Sequence, residues 1–226
     1  KQNSTINNAT FYVGNGNKVV WTSLSPTGDK LLISVAKDEP RNDKSDIMPN
    51  YIADDGHIKA QSVRARVADN RQYSEALFYL DLTSGEKHAL SYNTLPGFDE
   101  DVLASVRAEN YARDGKKYES KKSPRNIHVL SMYDAVKWSA DGKNVAVMLE
   151  AWDNKDRWLA TVDFAKNNLV TQHRLHDDAW INWSFNEFGW LNNSANNTLY
   201  YLSEESGYSH LYVKALDGKA KALTSG

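Results

Sequence analysis

Apolar residues along this chain cluster in runs of four to six, separated by polar turns, and three stretches repeat one pattern. In the first, Val19-Val20-Trp21-Thr22-Ser23-Leu24 leads through Ser25-Pro26-Thr27-Gly28-Asp29-Lys30 into Leu31-Leu32-Ile33-Ser34-Val35. In the second, Ala135-Val136-Lys137-Trp138 leads through Ser139-Ala140-Asp141-Gly142-Lys143 into Val145-Ala146-Val147-Met148-Leu149. The third is looser: Phe188-Gly189-Trp190-Leu191, an Asn-rich turn over 192–197, then Leu199-Tyr200-Tyr201-Leu202. Each is followed by a further hairpin pattern, over 77–90, 158–172 and 211–224, with turns at Ser84-Gly85, Asn167-Asn168 and Asp217-Gly218. Such dipeptides tolerate the left-handed backbone that a tight hairpin requires. Four antiparallel strands recurring every 45 to 50 residues or so are the sequence signature of β-propeller blades.

The spacing also predicts insertions. Trp138 and Trp190 stand one repeat apart, whereas Leu24 and Trp138 are separated by more than two. The expected layout is a blade over 17–92 carrying an insertion at 37–75, a second insertion over 93–126, and blades over 135–175 and 186–226. A lone partial strand is expected at 6–13, and the run 62–67 alternates like a strand. The second insertion breaks the period-two pattern and predicts a helix over 99–113. Asp99 is its expected N-cap, Gly115 its stop, and Val102, Leu103 and Val106 its buried face. Three blades cannot close a ring, so the expected fold is all-β, an open arc of a propeller with one helical insertion.

Composition narrows the function. The formal net charge of -2 lacks the basic excess of a nucleic-acid binder. No apolar run is long enough for a membrane span. No charged start followed by an apolar stretch is seen, so no export signal is expected within these residues. With no cysteine, disulfides, Cys-ligated zinc and a thiol nucleophile are excluded together. Five Asn-Xaa-Ser/Thr sequons, at Asn3, Asn8, Asn182, Asn192 and Asn196, decide nothing in so Asn-rich a chain. Nucleophile-elbow, phosphate-loop, dinucleotide and His-Glu-Xaa-Xaa-His motifs are all missing, and Gly14-Asn15-Gly16 is too short to cradle a phosphate.

The remaining candidates each have a plain structural reading. His173, His176, Asp177 and Asp178 are metal-ligand types but fall where an interblade loop belongs. Asp153, Asp156 and Asp163 lack the Gly and Glu of a calcium loop. Glu204 and Glu205 could hold an amine, or form a charged turn. The basic run Lys116, Lys117, Lys121, Lys122 and Arg125 reads as a solvated loop. Trp138 and Trp190 occupy one repeat position and read as packing, while Trp152, Trp158, Trp180 and Trp183 fall outside that register and keep a ligand-binding reading open. No catalytic, metal or cofactor residue is assigned, and substrate-contacting residues stay unassigned.

Certain of these residues resemble a known family. Trp138-Ser139-Ala140-Asp141-Gly142-Lys143 is similar to the propeller repeat of the prolyl oligopeptidase and dipeptidyl peptidase IV clan of serine peptidases and of TolB-like relatives. More specific is Ser203-Glu204-Glu205-Ser206-Gly207-Tyr208-Ser209-His210-Leu211-Tyr212, which resembles a blade segment of dipeptidyl peptidase propellers. Leu95-Pro96-Gly97-Phe98 and the segment after it are similar to an insertion in a bacterial branch of the group. The resemblance implies a periplasmic or secreted peptidase whose propeller gates peptide access to a C-terminal α/β-hydrolase domain. The triad belongs to that domain, so this chain alone is expected to be non-catalytic. The paired acids that anchor the substrate amine in the family sit in another segment, and that role is not transferred to Glu204 and Glu205. The alternative is a propeller binding module for protein or glycan ligands.

Overall fold

A computed structural model describes residues 11–39, 45–64, 73–130, 134–192 and 197–226. Three antiparallel sheets fall on the three repeats. The first contains β1 (Asn17–Leu24), β2 (Lys30–Lys37), β5 (Ala76–Asp81) and β6 (Lys87–Leu90), in that order. Between β2 and β5, β3 (Asp46–Asn50) and β4 (Lys59–Val63) form a separate two-stranded hairpin. The second sheet runs β11 (Asn168–His176), β10 (Asp156–Asp163), β9 (Val145–Ala151), then two short strands end to end. Of these, β8 (Val136–Trp138) pairs with Val145–Val147, and β7 (Ile127–Val129) pairs with Leu149–Ala151. The third sheet is β12 (Phe188–Trp190), β13 (Thr198–Ser203), β14 (His210–Ala215) and β15 (Lys221–Ala222).

The middle sheet is the best buried. Every residue of β9 is buried, as is every residue of β10 except its last. A strand covered on both faces needs an unbroken apolar run, which Val145-Ala146-Val147-Met148-Leu149 supplies. Trp158 and Leu149, both 0% exposed, sit in one core cluster that joins all three sheets. The inner strands are further stitched by indoles. Trp138 Nε1 donates to Ser23 Oγ of β1 at 3.0 Å, and Trp190 Nε1 to the Lys137 carbonyl of β8 at 2.8 Å. One repeat position thus makes the same step from each blade to the preceding one. β1, with no sheet on its other side among the described residues, shows mostly exposed residues, Val19, Val20 and Leu24 among them.

Antiparallel pairing in chain order sorts the connections between two ends. First-to-second and third-to-fourth strand turns leave at one end, and these are short: 25–29, 82–86, 139–144, 164–167 and 216–220. Second-to-third and sheet-to-sheet connections leave at the other. That end gathers 38–39, 73–75, 91–126, 152–155, 177–187 and 204–209. Trp152 Nε1 donates to the Tyr73 carbonyl at 2.9 Å, and Asp177 N to the Lys155 carbonyl at 3.0 Å, tying those connections together.

The insertion helix α1 spans Ala104–Arg113, starting five residues later than the sequence pattern suggests. Its N-cap is Leu103, which makes no side-chain cap bond, rather than Asp99. Gly115 does end it, in a Schellman motif: Gly115 N donates to the Ala112 carbonyl and Lys116 N to the Tyr111 carbonyl. The burial expectation fails, because Leu103 is 38% and Val106 54% exposed and no helix residue is buried. Polar anchoring replaces the apolar face. The Asp101 carboxylate accepts from Arg107 Nη1 at 2.7 Å and from the Tyr118 hydroxyl, which pins the helix start. Of the expected strand at 6–13, residues 11–13 are not in a strand and the rest lie outside the described residues. The run 62–67 begins in β4, and 65–67 lie outside them too.

Candidate functional site

A buried carboxylate organises the long-connection end. Asp156 opens β10 with its side chain 0% exposed and receives three cationic or potentially cationic partners. Arg125 Nη1 donates to it at 2.5 Å, Arg174 Nε at 2.6 Å, and His176 Nδ1 lies 3.0 Å away. Arg125 also forks onto Asp153 through Nε and Nη2, at 2.9 and 2.6 Å. Its side chain is 5% exposed, so this member of the basic run is a buried structural cation, not part of a solvated loop. Burial works against its charge, but the hydrogen bonds to Asp153 and Asp156 prevail and hold its pKa above the ordinary value. Arg174 carries the network to Glu100 at 2.8 Å, and that bond outweighs desolvation and keeps the Glu100 carboxyl below its usual range.

Leu95-Pro96-Gly97-Phe98 fits this frame residue by residue. Leu95 is buried, the Pro96 carbonyl accepts from Trp158 Nε1 at 2.9 Å, and the Gly97 carbonyl accepts from Arg125 Nη1 at 3.0 Å. Gly97 has φ of 79°, and a Cβ there would lie 2.3 Å from Arg174 Nη2. Only glycine meets both demands.

On this frame rides the β11–β12 connection, residues 177–187. It is fixed at several points. Asp177 Oδ1 accepts from the N–H groups of Ala179 and Trp180, and Ile181, 2% exposed, donates its N–H to the Asn154 carbonyl at 2.7 Å. Lys155 Nζ donates to the Asp178 carbonyl. Arg157, buried and paired with Glu150 at 2.9 Å, donates Nη2 to the Asn182 carbonyl at 2.8 Å. Held this tightly, the loop still turns its large rings outward: Trp180 is 63%, Trp183 56% and Phe185 41% exposed. Phe185 adopts φ of 61°, a left-handed conformation that costs a bulky residue energy and persists only where the surroundings impose it. Asn186, 7% exposed, donates Nδ2 to the Trp183 carbonyl at 2.5 Å, while its Oδ1 is buried with no partner. A cavity of about 410 Å³ is lined by Trp183, Ser184, Phe185, Asn186 and Glu187. Outward rings beside a carboxylate suit a ligand that brings an apolar body and a donor group.

The other candidates are dispersed. Asp163 lies at the short-turn end, where Oδ1 caps the N–H groups of Ala165 and Lys166. Among the described residues no group of three or more His, Asp and Glu side chains is placed to hold a metal. His173 is separated from His176 and contacts the third sheet. Its Nε2 is 3.0 Å from Ser203 Oγ, its Nδ1 3.7 Å from Glu205 Oε2, and its ring stacks on Tyr201 at 4.7 Å. The order Ser–His–Glu has the look of a charge relay, but Ser203 is 2% exposed and its Oγ accepts the Glu205 N–H. No acyl group can reach that hydroxyl, so the trio is a latch on the 204–209 turn. Burial, only partly opposed by Glu205, lowers the His173 pKa. Trp152 stacks on His128 at 4.0 Å, and Trp158 is in the core. Of the four out-of-register tryptophans, Trp180 and Trp183 alone face outward. Phe185 and Asn186 were not singled out by sequence, where an ordinary Phe-Asn pair carries no sign of a positive φ or an unpaired amide.

The sequence profile of the dipeptidyl peptidase IV (DPP IV) N-terminal region matches residues 104–226, more than half of the chain. The chain belongs to this family. Its propeller region is similar to solved bacterial structures. A putative dipeptidyl aminopeptidase IV from Bacteroides ovatus aligns at TM-score 0.55 and 14% identity, over 96% of this chain and 30% of that one. Dipeptidyl peptidase 4 from Porphyromonas gingivalis aligns at TM-score 0.53 and 12% identity, over 91% and 24%. The chain therefore spans less than a third of the length of either. At these identities the likeness speaks for fold alone. No curated protein matches the chain. The resemblance seen in Ser203–Tyr212 falls inside the matched DPP IV N-terminal region.

Proposed function

We propose that this DPP IV N-terminal region is the substrate-handling propeller segment of an exported serine peptidase, periplasmic or secreted, and that it does no hydrolysis itself. In this reading the β11–β12 connection meets oligopeptides on their way to a hydrolase domain outside these residues. The observation that carries the reading is the loop itself: Trp183 and strained Phe185 are held outward on a backbone anchored at several points. A peptide brings prolyl or other apolar side chains that can lie against these outward rings.

The test is a titration of the chain with proline-containing oligopeptides, followed by tryptophan fluorescence and calorimetry. Saturable binding, lost in Trp183→Ala, is expected. A fluorophosphonate probe should leave the chain unlabelled, because no serine among the described residues has an accessible base and a strained nucleophile turn. Saturable binding of a neutral oligosaccharide with no response to peptides would instead favour the binding-module reading. Stoichiometric labelling at one serine, abolished by denaturation, would overturn the non-catalytic one.

A further inference from the structure

Charge sets the β11–β12 connection apart from the rest of the chain. Over the whole sequence 27 Lys and Arg nearly balance 29 Asp and Glu, but residues 177–187 carry Asp177, Asp178 and Glu187 with no Lys or Arg. Lys155 and Arg157 reach this segment from its buried side. Their donors go to the Asp178 and Asn182 carbonyls, and Arg157 is also paired with Glu150. Asp177 is taken up in capping two N–H groups, and Asp178 lies 3.3 Å from His176. Glu187 is left. Its side chain is exposed and makes no ion pair among the described residues.

Glu187 also shares the cavity of about 410 Å³ with the Trp183 and Phe185 rings. The backbone between the rings is held by its own amides, since Asn182 Oδ1 accepts from Ser184 N at 3.0 Å and Asn186 Nδ2 closes onto the Trp183 carbonyl. Rings and carboxylate are thus presented together on a preset frame. The cavity is at the small end of ligand sites, which run from about 300 to 1,000 Å³, and suits one side chain rather than a broad partner surface. A neutral apolar guest would gain the rings but strip water from a carboxylate with no partner to replace it. A cation gains both, through the negative ring face and a charge-assisted hydrogen bond. Arginine fits better than lysine, because a guanidinium is planar, stacks on aromatic faces, is weakly hydrated and offers a fork of donors.

We propose, resting on the peptide reading above, that this cavity is a subsite for an arginine side chain of the bound peptide, its guanidinium stacked on Trp183 and donating to Glu187. The experiment is calorimetric titration with four proline-containing peptides, N-acetylated and C-amidated, that differ at one position: Arg, Lys, citrulline or Glu. Citrulline keeps the shape of arginine and loses its charge. Arg should bind about tenfold more tightly than citrulline, with Lys between them and Glu weakest. Glu187→Gln leaves the backbone carbonyl that accepts from Leu202 N, so it should keep its thermal midpoint. Its preference for Arg over citrulline should drop to about twofold, the share left to the ring. Should that variant fail to fold, salt decides on the wild type. The preference should shrink about threefold or more between roughly 0.05 and 0.5 M salt, because an exposed ion pair is screened.

Four equal affinities would overturn the arginine subsite and leave the peptide reading standing. So would a preference for Arg untouched by Glu187→Gln, or by salt where that variant does not fold. Binding by none of the four would overturn both. A citrulline peptide with a free amino terminus that matches the blocked arginine peptide would show that the cation held is the terminal amine, and would overturn the side-chain subsite.

Discussion

The two ends of the blades are built by different means. At the short-turn end, the 25–29 and 139–144 turns are closed largely by their own serine, aspartate and glycine residues. Ser25 Oγ accepts from the N–H groups of Asp29 and Lys30, Ser139 Oγ accepts from Asn144 N and donates to Asp141, and Gly28 and Gly142 both take φ of 71°. At the long-connection end, the bonds reach across the chain: Arg125 to Asp156, Trp158 to Pro96, Arg174 to Glu100, Trp152 to Tyr73. These two turns depend mainly on local bonds, whereas the connections depend on one another. A site that must be held rigid yet exposed can only be built at the second end.

The sharpest way to break this comparison is to remove one hub group from each end. Asp156→Ala strands two arginines that share a buried carboxylate, and should cost about 3–5 kcal/mol, the usual consequence of breaking a buried ionic network. Ser139→Ala removes a buried turn hydroxyl whose partners Asp141 and Asn144 are only partly buried, and should cost about 1 kcal/mol. Urea unfolding of both variants measures the gap. Equal losses would mean that the long connections are no more interdependent than the turns.

A pair of glycines sharpens it further. Gly28 and Gly97 have φ of 71° and 79°, so alanine meets similar backbone strain at both. A Cβ at Gly28 has nothing within 4 Å, while one at Gly97 collides with the Arg174 guanidinium. Gly28→Ala should cost about 1 kcal/mol. Gly97→Ala should cost that plus the displacement of a half-buried hydrogen-bonded cation, about 3 kcal/mol in all. Melting curves of the two variants side by side give the answer.

This contrast also explains what could be read without coordinates. The blade strands and their turns are local, with period and turn residues adjacent in sequence, and so the three sheets were legible. β7 was not, because Ile127-His128-Val129 is three residues long and becomes a strand only by lying along β9. Arg125 looked like one more surface cation because its carboxylates come from Asp153 and Asp156, 28 and 31 residues away. The helix face of Val102, Leu103 and Val106 misled for the same reason in reverse. An amphipathic pattern says where burial is possible, and nothing in it shows whether a surface arrives. At the candidate site, Trp180 and Trp183 stood out by falling off the repeat register, but the strain at Phe185 is imposed by distant anchors.

The ends should also part company with pH. Burial lowers the His173 pKa below its ordinary 6.5, so the unfolded chain takes up that proton more readily than the folded one. Its stabilising contribution is complete above about pH 7 and is lost as pH falls through the unfolded value. At the turn end, hydrogen bonds from Lys30, Thr27 and Ser25 hold the Asp29 carboxyl well below its ordinary 3.8. That contribution persists above about pH 4 and is lost only in stronger acid. Stability measured from about pH 7.5 down to 3 should therefore fall in two separate stages. His173→Gln should flatten the first; the second is shared by Asp29 with Asp81, Glu100, Asp101 and Asp163, so Asp29→Asn should reduce it without removing it. A single transition untouched by His173→Gln would remove the latch role given to that ring.

The smallest expected effect on stability tests the site itself. Trp183 is 56% exposed, and the bond it contributes to the loop comes from its backbone carbonyl, which a side-chain substitution leaves in place. Trp183→Ala should therefore change unfolding free energy by no more than about 0.5 kcal/mol, as surface changes away from caps and cores do. Trp158→Ala, by contrast, empties the core and should cost about 3–5 kcal/mol. If the loop exists to display its rings, Trp183→Ala keeps the fold and loses peptide binding, an outcome that a packing role cannot produce. A destabilisation comparable to that of Trp158→Ala would show instead that the indole supports the fold, and the loop would join the long connections as one more structural tie.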